Sequence, residues 1–339
     1  MTSMDMSYAQ RLEDYHLSCA FRDQPAGFYI DVGGGHPVAD NVSYWFYLQG
    51  WSGLVVEPQE ALWERYRHVR PRDRAVCSLV GRHPGEADFH VVERFHGLST
   101  MVKQHALQAA SLGAAYATVR RPVTTLAQLC ETHGVGRIDF LKVDVEGAEA
   151  DVFAGADWER WRPRVIVAEA ITPNATDEAW RSWEGDLLAH DYRFVLFDGL
   201  NRFYVAAEEP ELLARMPREP ARWGVVRHLY EFGRAPENPL HPDHALARRL
   251  VEAFCATPSV QAGGCLDAFL ATLPARSDEG LFTLLRQAGD SLADEGLPEG
   301  AAPERLRAAL GRIAAPYDGG LMLDDEPASS LQARNGAAD

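Results

Sequence analysis

Short apolar runs alternate with longer amphipathic segments between about residues 28 and 206. We interpret the apolar runs as strands over 28–32, 53–56, 74–79, 138–143, 165–168, 193–197 and 202–205. The segments with helical spacing are 41–49, 59–67, 100–118, 126–133 and 177–190. Strands that alternate with helices build a largely parallel sheet through right-handed crossovers. The pattern therefore predicts an α/β fold.

The connection between the last two predicted strands differs from the others. It consists of residues 198–201 only, which is too short for a crossover helix, so these two strands should pair antiparallel. A mostly parallel sheet with a terminal antiparallel strand is typical of Rossmann-like class I methyltransferases, whereas dinucleotide-dependent dehydrogenases are usually parallel throughout.

The pattern changes after residue 206 and predicts further regions. We expect an N-terminal extension over 1–27, the main α/β domain over 28–206, a connecting segment over 207–243 with a short helix at 208–219, a helical appendage over 244–316, and a disordered tail over 317–339. Helical spacing within the appendage covers 244–257, 266–273, 280–293 and 303–314.

Composition and charge narrow the classes of function. The net charge of −16 argues against nucleic acid or anionic membrane as a partner, because binding to either depends on Lys and Arg. The five cysteines show no Cys-x-x-Cys spacing, so we expect free thiols and no zinc site. The sequence has neither a secretion signal nor an apolar run long enough to span a membrane, which favours a cytoplasmic protein.

Glycines and one acid follow the first two predicted strands. Asp31 lies at the end of the first strand, and Gly33 and Gly35 follow it, where glycine lets the backbone pass close to a cofactor. Glu57 ends the second strand and could accept hydrogen bonds from ribose hydroxyls. These features fit both NAD and S-adenosylmethionine. Pro37 lacks the N–H that a pyrophosphate would need, which favours S-adenosylmethionine.

Five blocks in this order resemble the FkbM-type S-adenosylmethionine-dependent methyltransferases. They are 29–33 with 36–37, 50–53 with 56–58, 97–100, 139–149, and 169–170 followed by 183–184 and 198–204. The resemblance covers about residues 28–206, and this part would then be the S-adenosylmethionine-binding methyltransferase domain. It implies O-methylation of a small-molecule or glycan acceptor, namely a sugar or polyketide hydroxyl. The chain departs from the family at Gly34, where alanine is usual, and the smaller residue should leave the pocket intact.

Acids at the ends of later strands are the candidate catalytic residues. A hydroxyl acceptor needs alignment with the methyl donor and either a base or a metal ion. Asp144 could reach the methionine end of the cofactor, and Glu146 is our preferred general base. Glu169 could be a second base or could accept a hydrogen bond from a substrate hydroxyl. Asp144 and Glu169 could together bind Mg²⁺ through oxygen ligands. His36 could orient the acceptor, act as base, or only pack within its loop, and Glu149 is predicted to cap a helix.

Several alternatives remain open from the sequence. Ser78 is a candidate for the adenine end of the cofactor pocket. An NAD-linked oxidoreductase of the same fold is one rival reading. The other is a non-catalytic protein that binds a partner through its C-terminal helices. Those helices could also form a homodimer.

Overall fold

The computed structural model describes residues 4–92, 96–111, 113–171, 179–256 and 302–317. The chain divides into two compact units, Met1–Leu229 and Tyr230–Asp339. Within these described residues, no helix is both long and apolar enough to cross a membrane.

The strands and helices are numbered along the chain. The strands are β1 (Met6–Ser7), β2 (Phe28–Val32), β3 (Ser52–Val56), β4 (Arg74–Val76), β5 (Leu79–Val80), β6 (Gly85–Val92), β7 (Tyr116–Thr124), β8 (Phe140–Val143), β9 (Val165–Glu169), β10 (Tyr192–Phe197), β11 (Asn201–Ala206) and β12 (Arg227–His228). The helices are α1 (Glu13–Ala20), α2 (Tyr44–Leu48), α3 (Glu60–Val69), α4 (Lys103–Ser111), α5 (Leu126–Thr132), α6 (Glu149–Ala154), α7 (Glu184–Ala189), α8 (Pro210–Arg215), α9 (Leu229–Phe232), α10 (His244–Ala256) and α11 (Ala302–Ala314). Short 3₁₀ turns cover His96–Leu98 and Ala179–Ser182.

A seven-stranded sheet forms the centre of the first unit, in the order β10-β11-β9-β8-β2-β3-β4. The five strands from β9 to β4 in this order run parallel. Strand β11 pairs antiparallel with both β9 and β10. The prediction of an α/β fold with a largely parallel sheet and a terminal antiparallel strand is confirmed. Residues Ile30, Leu54, Leu141 and Ile166 are fully buried, as expected for parallel strands that are covered on both faces.

A second sheet of three strands, β5-β7-β6, was not predicted. The helix predicted over 100–118 is wrong after Ser111, since α4 ends there and β7 begins at Tyr116. Pairing with β6 over eight positions, from Gly85↔Val123 to Val92↔Tyr116, decides the conformation of this segment. The strand predicted over 74–79 is also wrong as one element, because its ends belong to β4 and β5 in different sheets.

The N-terminal residues pack within the first unit. Strand β1 pairs in parallel with β12, and the carboxylate of Asp14 accepts hydrogen bonds from Ser7 Oγ at 2.6 Å and from Tyr8 N at 2.8 Å. Leu17 and Phe21 are buried on and just after α1. These contacts make the extension part of the folded unit.

The described part of the second unit contains α10 and α11. Arg312 of α11 donates to both carboxylate oxygens of Asp243, at 2.7 and 2.8 Å, just before α10 begins. The helices predicted over 266–273 and 280–293 and almost all of the predicted tail lie outside the described residues. The predicted division at residues 206 and 243 stays a prediction.

Candidate functional site

The glycine loop after β2 runs between the ends of its two neighbouring strands. Gly33 N donates to Val56 O at 2.9 Å, and Asp144 N donates to Val32 O at 3.0 Å. Gly33 and Gly35 have φ of 75° and 58°, in the left-handed region. A Cβ on Gly33 would overlap the carbonyl oxygen of Asp144, whereas a Cβ on Gly35 would meet nothing within 4 Å. The loop therefore needs glycine at 33 for close approach, and it leaves open space beside 35.

Asp31 and Lys142 form a buried charged pair beneath this loop. Lys142 Nζ donates to Gly33 O at 2.6 Å and lies 3.6 Å from Asp31 Oδ1 and 3.2 Å from Asp144 Oδ2. Burial lowers the pKa of Lys142, but Asp144 and Asp31 raise it more, so its pKa is above the ordinary value. Asp31 Oδ2 accepts from Ser43 Oγ at 2.5 Å, while Oδ1 is buried without a hydrogen-bond donor among the described residues. Lys142 was not among the site residues predicted from the sequence, although a lysine inside an apolar strand is a usable signal.

A fully buried arginine supports the loop from behind. Arg70 donates to Asn41 Oδ1, Ser43 Oγ and Tyr29 OH, each at 2.8 Å. Asn41 Nδ2 in turn donates to the carbonyl oxygen of Gly34 at 2.8 Å. The loop and Asp31 are thus tied through Asn41 and Ser43 to one rigid polar network.

Glu57 lies where the sequence placed it, at the end of β3. Its two carboxylate oxygens accept from Gly35 N and from Gln59 N, both at 2.7 Å. Burial raises its pKa to about 7, against the opposing effect of these two hydrogen bonds. Glu57 therefore braces the glycine loop against the start of α3. An ionised carboxylate still has lone pairs for further donors, so its ribose role stays a prediction.

Ser78 and His36 make contacts with the protein backbone. Ser78 Oγ lies 2.9 Å from both Leu79 O and Pro122 O. His36 is buried, and its Nδ1 accepts from Val38 N at 3.2 Å and Ala39 N at 3.1 Å. Nδ1 cannot serve as a base while it accepts these bonds. The predicted roles of both residues in ligand binding stay predictions.

Three acids from two strand ends meet at the same edge of the sheet. Carboxylate oxygens of Asp144, Glu146 and Glu169 all lie within 4.8 Å of one another. Burial raises the pKa of both Glu146 and Glu169 well above the ordinary value, and the charge of Asp144 adds to this effect. Like charges this close favour a shared proton or a bound cation. The set contains only oxygen donors, which suit a hard cation such as Mg²⁺.

The backbone of Glu146 is held in an uncommon conformation. Its φ is 56°, which costs a residue with a Cβ about 1–2 kcal/mol. Its carbonyl oxygen accepts from Thr100 Oγ1 at 2.8 Å and from His105 Nδ1 at 2.9 Å. A carbonyl can only accept, so Nδ1 of His105 carries a proton. We call Thr100 and His105 together the carbonyl clamp.

The sequence did not predict the carbonyl clamp. Of its two residues, only Thr100 lies in one of the blocks that resemble the FkbM family. His105 stands alone on α4 with no pattern that links it to Glu146. Gly147 is needed beside it, because a Cβ there would overlap the His105 ring. Glu149 accepts from Val145 N and Gly147 N at 3.1 Å. Both N–H groups lie before α6, so Glu149 has a structural role in the loop between β8 and α6, and these two bonds do not cap the helix as predicted.

Helix α1 brings one further acid to this edge. Glu13 Oε1 accepts from Asn201 Nδ2 at 2.7 Å, and Asn201 is paired with Glu169 between β11 and β9. Burial and then Asp198 raise the pKa of Glu13 well above its ordinary value. No sequence pattern indicates this contact, because Glu13 and Asn201 are distant in the chain.

A known protein family matches the part of the chain that contains these strand ends. No curated protein and no solved structure gave a significant match. Residues 31–194 match the family described as the Methyltransferase FkbM domain. This range contains the glycine loop, Glu57, the carbonyl clamp and the three acids, and it is a methyltransferase domain of the FkbM type.

Proposed function

We propose that the protein is an S-adenosylmethionine-dependent O-methyltransferase that acts on a hydroxyl of a sugar or of a glycosylated or polyketide natural product. One observation carries the proposal. Asp31, Glu57 and Asp144 lie at the carboxyl ends of the adjacent strands β2, β3 and β8, where an open α/β sheet binds its ligand in a crevice. The strand order, with β11 antiparallel beside β9, supports a Rossmann-like class I methyltransferase fold.

The residues at this crevice fit S-adenosylmethionine. Asp31 Oδ1 is buried without a donor among the described residues, and the cofactor's ammonium group is a suitable one. Gly35 has open space beside its Cα, and Glu57 has lone pairs left for ribose hydroxyls. When bound, the cofactor supplies a methyl group on a positively charged sulfur. Gly33, Gly35, Glu57, Asp31 and Asp144 would hold it.

The three acids act on the acceptor in this proposal. Glu146 accepts the proton of the acceptor hydroxyl, because a raised pKa makes its carboxylate a stronger base. Glu169 is buried at the end of β9 and accepts a hydrogen bond from a second acceptor hydroxyl. The alignment of the hydroxyl oxygen with the methyl carbon supplies most of the remaining rate enhancement.

Mg²⁺ offers a second chemistry for the same three acids. A cation bound by Asp144, Glu146 and Glu169 would lower the pKa of the acceptor hydroxyl directly. A product assay against a panel of glycosides and macrolides, with Mg²⁺ and with a chelator, distinguishes the general-base route from the metal route. Loss of turnover with the chelator and its return with Mg²⁺ favour the metal route.

The proposal predicts cofactor binding that can be measured without an acceptor. Titration calorimetry should detect S-adenosylmethionine and S-adenosylhomocysteine at micromolar affinity. Glu146→Gln should reduce turnover about 100-fold or more, the usual contribution of a general base, while the affinity for S-adenosylhomocysteine stays the same. Glu60→Gln, an acid at the exposed start of α3, is the matched control.

Absence of heat with either cofactor would contradict the proposal, and a change in nicotinamide absorbance on mixing would favour the oxidoreductase instead. Turnover that survives Glu146→Gln would remove the base assignment only. If deletion of the residues after Gly233 abolished binding of a protein partner and left the cofactor affinity unchanged, the partner-binding alternative would gain support. A cytoplasmic location and a homodimer are further proposals, the second tested by light scattering.

A further inference from the structure

A cavity lies at the amino ends of strands in the central sheet, whereas the proposed active site lies at the carboxyl ends. Its volume is about 340 Å³, and its lining includes Phe28 and Ser52, the first residues of β2 and β3. The turn 134–137 after α5 closes another side. The glycine loop and the acids stand at the carboxyl ends of the same strands, about 16 Å away for five residues of strand. The two sites therefore do not share lining residues.

The charge of this cavity is opposite to that of the molecule. Its lining contains Arg72, Arg74 and Arg137 and no carboxylate, in a chain whose net charge is −16. Partial burial and the charge of Arg74 together lower the pKa of the neighbouring His133. We call this cavity the arginine cavity.

Two of the arginines contact an aromatic ring and backbone carbonyl oxygens. The Arg72 guanidinium carbon lies 3.9 Å from the centre of the Tyr47 ring, and the side chain donates to Tyr47 O. Arg74 donates to the carbonyl oxygen of His133 and so joins β4 to the turn 134–137. Among the described residues, Arg74 has no carboxylate within ion-pair distance. Its position is thus fixed while its charge stays uncompensated.

The third arginine, Arg137, shares the carboxylate of Asp139 with Arg164, which lies closer to it. Arg137 Nε lies 3.5 Å from Asp139 Oδ1, and Arg164 Nη1 donates to the same oxygen at 2.9 Å. The side chain of Arg137 is 67% exposed, so it can turn toward a ligand in the cavity.

We propose that the arginine cavity binds a small phosphorylated molecule, a site separate from methyl transfer. Guanidinium groups match phosphate oxygens through paired N–H donors. The volume is at the lower end for small-molecule sites and exceeds that of inorganic phosphate, so a phosphate monoester of a sugar-sized molecule fits. The glycines at 134 and 136 let the backbone approach such a ligand closely.

Titration calorimetry of the full chain with glucose 6-phosphate, and with glucose as the uncharged control, tests the proposal. We expect binding of the phosphate ester alone, with affinity that falls as salt is added. Arg74→Ala and Arg137→Ala should each weaken binding by about tenfold or more, the loss of one charge-assisted hydrogen bond. Amide shifts of Gly134 and Gly136 on titration should locate the ligand.

Arg120→Ala is the matched control, since Arg120 is exposed and pairs with Asp88 on the second sheet. It should bind glucose 6-phosphate like the unmodified protein. All three variants should keep their affinity for S-adenosylhomocysteine, because none of these residues contacts the glycine loop or the acids. Arg137→Ala and Arg120→Ala should also keep their melting temperature, whereas Arg74→Ala should lower it by a few degrees, since it removes the hydrogen bond to His133 O. Equal binding of glucose, no binding of the ester, or unchanged binding in both cavity variants would each overturn the proposal.

Discussion

The carbonyl clamp shows how a single backbone oxygen can decide where a carboxylate points. Without a compensating contact, the left-handed conformation of Glu146 would relax and turn the side chain away from Asp144 and Glu169. Thr100 and His105 oppose that relaxation with two hydrogen bonds to the same oxygen. The clamp residues are therefore positioning residues for Glu146.

This role gives a prediction for His105. His105→Ala should lower turnover about tenfold or more, because one of the two bonds to Glu146 O is lost, while S-adenosylhomocysteine binds as before. His105→Asn should recover most of the loss, since the asparagine amide can donate from nearly the same place as Nδ1. Steady-state kinetics and calorimetry of the two variants make the comparison. Equal turnover in the alanine and asparagine variants would show that the hydrogen bond does not matter.

At the residue scale, the sequence sufficed where an acid lies at or directly after the carboxyl end of a strand. Asp31, Glu57 and Asp144 were found in this way, because the chain direction alone fixes which edge they occupy. Glu13 and His105 were not found, since their contacts join distant parts of the chain and leave no local pattern. Such residues become visible only when the packing is known.

At the scale of elements, the central sheet was easier to predict than the second sheet. The inner strands β2, β3, β8 and β9 of the central sheet are almost entirely buried and largely apolar, and such runs have few alternative conformations. In β6 and β7, exposed polar residues such as Glu86, Asp88 and Arg120 interrupt the apolar pattern. Their strand conformation comes from pairing with each other, which periodicity along one segment cannot show.

The glycine loop offers a matched pair of substitutions at this scale. Both Gly33 and Gly35 have positive φ. Only a Cβ on Gly33 would overlap the backbone of Asp144, the residue that follows β8. Gly35→Ala should cost about 1–2 kcal/mol of unfolding free energy, from conformation alone. Gly33→Ala should cost clearly more and should also weaken cofactor binding. Urea unfolding measures the stability of the two variants, and calorimetry measures their affinity for the cofactor. An equal loss of unfolding free energy in both variants would contradict the close approach at Gly33.

At the scale of the whole molecule, buried acids make stability depend on pH. Burial raises the pKa of Asp14 and Asp198 to about 6 and that of Glu57 to about 7. Each folded pKa lies above its unfolded value, so protonation favours the folded state. This stability is present below the unfolded pKa of each group, near pH 4, and is lost as the pH rises through about 6 to 7.

We therefore expect the melting temperature to fall between about pH 5 and about pH 8. Each pKa unit corresponds to about 1.4 kcal/mol, so a fall of several degrees is expected. Differential scanning fluorimetry across this range measures it. The fall should persist in about 1 M NaCl, which screens surface repulsion but does not remove the cost of burying a charge. A melting temperature that rises with pH would contradict the assignment of these acids.

The strand order has a consequence for how the chain could be shortened. Strand β11, at Asn201–Ala206, lies between β9 and β10 in the sheet but follows both of them in the sequence. A fragment restricted to residues 31–194 would lack it and would leave one side of β9 with unsatisfied backbone groups. Such an open edge recruits strands from other copies, so the fragment should aggregate rather than fold, and β12 at Arg227–His228 marks the shortest sensible C-terminus.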